Sequence, residues 1–82
     1  MFCVYILYSS ENFKTYVGFT SDLEKRLIAH NHPQNKGWTK KYQPWILLHS
    51  EQFSTKAEAM HREKVLKSGI GREFIQALID KY

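Results

Sequence analysis

Two short runs of β-branched and aromatic residues near the start of the chain, Val4-Tyr5-Ile6 and Tyr16-Val17-Gly18, constrain the fold more than any other feature. Phe2 to Tyr8 and Lys14 to Phe19 have the length and residue types of strands. The polar turn Ser9-Ser10-Glu11-Asn12 would join them as an antiparallel hairpin. Phe2 to Tyr8 is apolar on both faces, which predicts a central or covered strand. Successive side chains point to opposite faces, so Tyr5 shares one with Cys3 and Leu7, and Tyr16 shares one with Gly18. In a matching register, two phenol hydroxyls and a glycine without a side chain open onto one surface. Such a surface suits a site better than a core.

Downstream, Ser21-Asp22-Leu23-Glu24 fits a capping box and predicts a helix from Ser21 to about His30, with Leu23 and Leu27 on its apolar face. Asn31 to Pro44 is rich in Pro, Asn and Gly and reads as an irregular connection. Connections of that length in small domains are often functional. Trp45 to Phe53 reads as a third strand. A second capping box, Thr55-Lys56-Ala57-Glu58, opens a helix expected to reach Ser68 and to stop at Gly69 as a left-handed cap. A last helix, Arg72 to Lys81, sets Phe74, Ile75, Leu78 and Ile79 on one stripe. The order β-β-α-β-α-α predicts an α+β fold with helices packed on a small three-stranded antiparallel sheet.

A chain of 82 residues is one domain at most, and residues 1–82 are read as one. It buries roughly 60% of its unfolded surface. The single cysteine, Cys3, excludes an intramolecular disulfide and a cysteine-based zinc site, and it reads as a small buried hydrophobe. No apolar run approaches the about 20 residues that span a bilayer, and no signal peptide precedes the first strand. The expectation is a soluble cytoplasmic protein with no membrane partner. A formal net charge of +4 favours a polyanionic partner.

Several residues break the pattern of a plain core. Glu63 falls on the stripe of the second long helix that should face the sheet, where a carboxylate needs a partner or a cation. An i,i+4 pair with Lys67 is the simpler reading, and a site residue the sharper one. Arg26 and His30 stand one helical turn apart beside the Leu23–Leu27 stripe, so both can reach over the sheet. Each, taken singly, also reads as an ordinary solvated or backbone-bonded side chain. In the long connection, Lys36, Lys40 and Lys41 beside Trp38 and Tyr42 suit phosphate contacts and base stacking. Together these are parts for metal-assisted phosphodiester hydrolysis. A carboxylate can hold Mg²⁺, an arginine can neutralise charge on phosphoryl oxygens, and a phenol or imidazole can take a proton from water.

With these residues in this order, the sequence resembles the GIY-YIG nuclease superfamily. Within it, the chain is similar to the small stand-alone bacterial proteins, whose domain resembles the N-terminal nuclease domain of excinuclease C. The resemblance covers essentially the whole chain. Cys3-Val4-Tyr5 stands at the GIY motif, with Cys3 in place of its glycine, and Tyr16-Val17-Gly18 stands at YIG. Val17 to Thr20, Asp22-Leu23-Glu24, Arg26-Leu27 and His30-Asn31 follow the family's first helix. Glu58-Ala59, Arg62-Glu63-Lys64, Leu66 to Gly69 and Gly71-Arg72 follow its carboxylate helix.

The resemblance implies a DNA endonuclease using Mg²⁺ or Mn²⁺, structure-selective and acting in DNA repair or recombination. Glu63 is implied as the metal ligand and Arg26 as the group that stabilises the pentavalent phosphate. Tyr5 and Tyr16 are implied as the pair that activates and orients water, His30 as an aid to proton transfer, and Gly18 as the residue that keeps the strand open. Lys36, Trp38, Lys40, Lys41 and Lys67 are the expected substrate contacts. The sequence offers no counterpart of the asparagine some larger members carry, and the expectation is a domain without an appended DNA-binding domain. The expectations are therefore weak, salt-sensitive binding or a partner protein that supplies specificity. The rival expectation is a non-catalytic nucleic-acid-binding module on the same fold.

Overall fold

The computed structural model describes residues 1–35 and 37–82. Strands β1 (Phe2–Ser9), β2 (Lys14–Thr20) and β3 (Ile46–Phe53) form an antiparallel sheet of order β2-β1-β3. The doubly apolar first strand is therefore the central one, as its composition requires. Its register with β2 sets Tyr5 opposite Gly18 and Leu7 opposite Tyr16, which brings the two tyrosines and the glycine onto one face. The hairpin turn closes with Asn12 donating to Ser9 from both its backbone N–H (3.2 Å) and its side-chain amide (3.0 Å). Phe13 ends that turn at φ 55.

Helices cover both faces. Val4, Ile6 and Val17 pack against Ala59 and Leu66 of α3 (Lys56–Leu66) and Ile75 of α4 (Gly69–Lys81). Tyr5 and Leu7, with Trp45, pack against Leu23 and Leu27 of α1 (Leu23–Asn31), joined by Tyr16 and Tyr42. A bulge between β1 and β3, where Ile6 faces His49 and Leu7 faces Leu47, leaves Leu48 to pack on the α3–α4 side. No described helix is long and apolar enough to cross a membrane.

Four boundaries differ from the sequence reading. The cap of α1 is Asp22, whose carboxylate accepts from Lys25 N–H at 3.1 Å, and Ser21 makes no capping box. The Thr20 hydroxyl decides this by accepting from Asp22 N–H at 3.1 Å, which sets Asp22 in the extended conformation a cap needs. The connection after α1 is not irregular throughout, since Trp38–Lys41 form one turn, α2. Trp45 precedes β3 instead of opening it. Finally, α3 ends at Leu66 and Gly69 begins α4, so Gly69 is not a left-handed cap. Gly71, inside that first turn, lies so close to Leu66 that a Cβ there would overlap the Leu66 carbonyl. By contrast, the Thr55 capping box forms in full, with Glu58 N–H donating to Thr55 Oγ1 and Thr55 N–H to Glu58 Oε1, each at 3.2 Å.

Candidate active site

The site is built outward from Tyr5. The central strand buries its ring to 1% exposure, and its hydroxyl lies 3.0 Å from His30 Nε2. Gly18 makes room for that hydroxyl: a Cβ there would stand 2.7 Å from Tyr5 Oη and 3.0 Å from Tyr16 Cε1. Tyr16, half-buried, stacks at an angle on His30 with ring centroids 4.8 Å apart. His30 reaches this layer from the last turn of α1 and is itself buried.

The electrostatics show which charges converge there. Burial pushes the Tyr5 phenol well above its ordinary value. Tyr16 adds to the rise, the Arg26 guanidinium opposes it, and the Glu63 carboxylate adds again. Burial, and then Arg26, depress the His30 imidazole below its ordinary value. Tyr5 and His30 are thus both neutral near pH 7. Arg26 is exposed one turn before His30 and lines an open cavity of about 460 Å³ at the start of α1 with Thr20, Asp22 and Lys25. Glu63, on α3, has a side chain 23% exposed, and its Oε1 lies 3.6 Å from Lys67 Nζ. The i,i+4 pair is formed, and the same carboxylate is felt at the Tyr5 hydroxyl.

Tyr5, Tyr16, Gly18, Arg26, His30 and Glu63, expected from separate stretches of sequence, therefore share one neighbourhood. Trp38 joins it through Tyr16, at 6.5 Å between ring centroids. Lys40 and Lys41 are exposed on α2, with Lys41 Nζ 5.7 Å from the Tyr42 ring. Lys36 lies outside the described residues.

A set of positioning residues escaped the sequence reading. Asn31 clasps the Trp45 backbone, accepting from its N–H at 2.7 Å and donating to its carbonyl at 3.0 Å. Trp45 is buried and donates its indole N–H to the Thr39 carbonyl at 2.7 Å. Gln43 donates to the carbonyls of His30 and His32, at 2.7 and 2.8 Å. These bonds pin the long connection beneath α1 and hold Trp38 against Tyr16. No local pattern signals them, because each joins residues many positions apart.

The donor set suits a hard divalent cation held by one carboxylate oxygen, with water and substrate oxygens completing its shell. Among the described residues no three His, Cys, Asp or Glu side chains gather into an all-protein cage.

A three-stranded sheet in the order β2-β1-β3, with two tyrosines on one face of its hairpin and helices on both faces, is the architecture of the GIY-YIG catalytic domain. The family model of that description matches residues 1–72, and the chain belongs to this family. It is 38% identical over 65 residues to a UPF0213 protein of Staphylococcus haemolyticus, covering 79% of this chain and 78% of that one. It is 42% identical over 59 residues to a UPF0213 protein of Bacillus velezensis, covering 72% of this chain but only 59% of its relative. A UPF0213 protein of Halobacterium salinarum is 36% identical over 64 residues, 78% of this chain and 82% of that one. No solved structure matches the chain.

Proposed function

We propose that this protein is a cytoplasmic, divalent-metal-dependent endonuclease that hydrolyses DNA phosphodiester bonds, with residues 1–82 forming its nuclease domain. In this reading it chooses DNA by structure and serves repair or recombination. The observation that carries the reading is the buried Tyr5 hydroxyl, which is bonded to His30 and lies within electrostatic reach of Tyr16, Arg26 and Glu63 at once.

Each residue then has a role its environment supports. Tyr16, the less buried phenol, faces the attacking water and takes its proton. Tyr5, fully buried, orients Tyr16 and links it to the neutral His30, whose Nε2 receives the proton. The water oxygen attacks phosphorus as the bond to the 3′-oxygen breaks, and that oxygen takes a proton from bulk water to leave as a 3′-hydroxyl beside a 5′-phosphate. Arg26, exposed and fixed on α1, neutralises charge growing on the phosphoryl oxygens. Glu63 would hold Mg²⁺ or Mn²⁺, which when bound supplies Lewis-acid stabilisation of the phosphate. Lys40, Lys41 and Lys67 contribute phosphate contacts.

The test is cleavage of single-stranded, duplex, flapped and branched DNAs with Mg²⁺ or Mn²⁺, comparing the parent with Glu63→Gln and Arg26→Ala. Cleavage by the parent is expected to vanish in Glu63→Gln. In Arg26→Ala it should fall roughly 10²- to 10³-fold, the usual cost of one transition-state donor. Undiminished cutting by either variant removes its assigned role. DNA binding with no cutting by the parent would favour the non-catalytic binding module.

A further inference from the structure

A groove of about 360 Å³ lies between β2 and the turn joining α3 to α4. Thr15 and Tyr16 line it from the sheet, Lys67 and Arg72 from the helices, and Trp38 from α2. Three features set it apart. β2 is an edge strand, so half its backbone donors and acceptors face outward along this side. Arg72 is exposed, and among the described residues no carboxylate lies within ion-pair distance of it. Trp38 is 49% exposed, yet its ring is fixed by Tyr42, Trp45 and Tyr16 at centroid distances of 4.7, 5.8 and 6.5 Å. A rigid aromatic face beside two cations and an open strand edge is the recognition chemistry of unpaired nucleic acid.

We infer that this groove binds one unpaired DNA strand, with Arg72 and Lys67 on its phosphates and a base stacked on Trp38. The charge complementarity selects a polyanion, and a base can stack on the exposed face of Trp38 only where it is unpaired. Tyr16 lines both groove and site, so a strand seated here would enter the neighbourhood of Tyr5 and Arg26 directly. The inference deepens the nuclease reading and rests on it for the cleavage of the bound strand. It makes Arg72 a substrate-binding residue and assigns the preference to single-stranded or flapped DNA over blunt duplex.

The experiment is fluorescence anisotropy of a labelled single-stranded oligonucleotide and a matched blunt duplex, with the full chain and no added metal, across a range of salt. The single strand should bind more tightly. Arg72→Gln should weaken it and reduce the slope of log K against log salt by about 0.7, one phosphate contact on a single strand. Trp38→Ala should weaken it roughly 5- to 150-fold, the contribution of one stacked base. Lys56→Gln, at the opposite end of α3 from Lys67, removes the same charge and should leave the slope unchanged. Equal effects of Arg72→Gln and Lys56→Gln, duplex binding as tight as single-strand binding, or no binding at all would each overturn the inference. The two readings fail separately. Metal-dependent cleavage by the parent, with Arg72→Gln binding as the parent does, keeps the nuclease and removes the groove. Single-strand binding that depends on Arg72, without cleavage, keeps the groove and removes the nuclease.

Discussion

The Tyr5 hydroxyl and His30 Nε2 lie 3.0 Å apart in a layer closed by α1, and neither group carries charge near neutral pH. Protonating His30 would place a cation in a buried site already near the Arg26 guanidinium. The unfolded chain holds that proton more tightly than the folded one. Stability from this source is therefore complete above pH 6.5, the ordinary histidine value, and declines as pH falls from there toward the depressed folded value. Cleavage should follow the titration of the folded state, with an acid limb at the depressed folded value of His30, below the pH where the stability loss begins, because only there is Nε2 protonated and unable to accept. His30→Gln should lower turnover roughly 10²- to 10⁴-fold, the range for a proton-transfer residue, and remove that limb. Thermal unfolding and turnover across pH 4.5 to 8 (roughly two units either side of the ordinary value) would check both. A limb unchanged in His30→Gln would exclude His30 as proton acceptor.

Gly18 is required by the tyrosine opposite it. A Cβ at this position would stand 2.7 Å from Tyr5 Oη and 2.9 Å from Tyr5 Cζ. The end of a tyrosine could swing away from such contact if it were free, but Tyr5 is 1% exposed and bonded to His30. Gly18→Ala should therefore cost about 1–3 kcal/mol, as small-to-large changes in packed sites do. It should also reduce cleavage by about tenfold or more, since a misplaced Tyr5 loses its line to His30. Chemical denaturation and steady-state cleavage read the two effects. An alanine variant with parental stability and rate would show that the ring is mobile.

How much of this was legible in the chain depends on how local each determinant is. The β1–β2 hairpin, its shared tyrosine face and the Thr55 capping box depend on residues a few positions apart, and the structure forms all three. Ser21 and Asp22 both qualify by residue type as the cap of α1, and the deciding Thr20 hydroxyl acts across the end of a strand. Gly69 reads as a stop in isolation. With Ser68 extended at the N-cap, that same stretch opens α4, and Gly71 allows the close approach to Leu66. Helical and strand spacing aims Arg26, His30, Glu63 and the tyrosines at the sheet one element at a time, and the family resemblance supplies their roles, because no periodicity relates residues on β1, α1 and α3 to one another. The anchoring of Trp45 by Asn31 and Thr39 had no signal at all, being tertiary throughout.

The opposite face of the sheet carries a polar clamp. Arg62 on α3 donates to both oxygens of Glu51 on β3, at 2.8 and 3.0 Å, and His49 Nε2 meets the same carboxylate at 2.8 Å. The Arg62 guanidinium also lies 5.3 Å from the Phe74 ring, which ties α4 to the pair. The hydrogen bond from Arg62 holds the Glu51 carboxyl below its ordinary range, burial opposes this, and His49 reinforces it. The stabilisation is therefore present above the ordinary carboxylate range and lost as pH falls through the lowered value. Glu51→Gln should cost about 1–2 kcal/mol at neutral pH, the scale of a partly exposed charge-assisted pair. It should flatten the acid side of the stability curve, and cleavage rates should stay parental. An equal loss at pH 3 and pH 7 (roughly one unit below and three above a model carboxylate) would show that the carboxylate's charge contributes nothing.

Phe13 stores strain at the tip of the hairpin. Its φ of 55 is in the left-handed region, where a bulky side chain crowds the following carbonyl at a cost of about 1–2 kcal/mol. Its ring recovers little of this by packing, being 81% exposed. Asn12 imposes the geometry by closing the turn onto Ser9 through two hydrogen bonds. Phe13→Gly should relieve the strain and raise stability by roughly 0.5–1 kcal/mol, after the larger chain entropy of glycine in the unfolded state is deducted. In a domain of this size that is a rise of roughly 2–8 °C in the thermal midpoint. Phe13→Ala separates the causes, since it removes the ring but keeps the Cβ that crowds the backbone, and should give no comparable rise. If alanine stabilises as much as glycine, the exposed ring is the source of the cost and the backbone is unstrained.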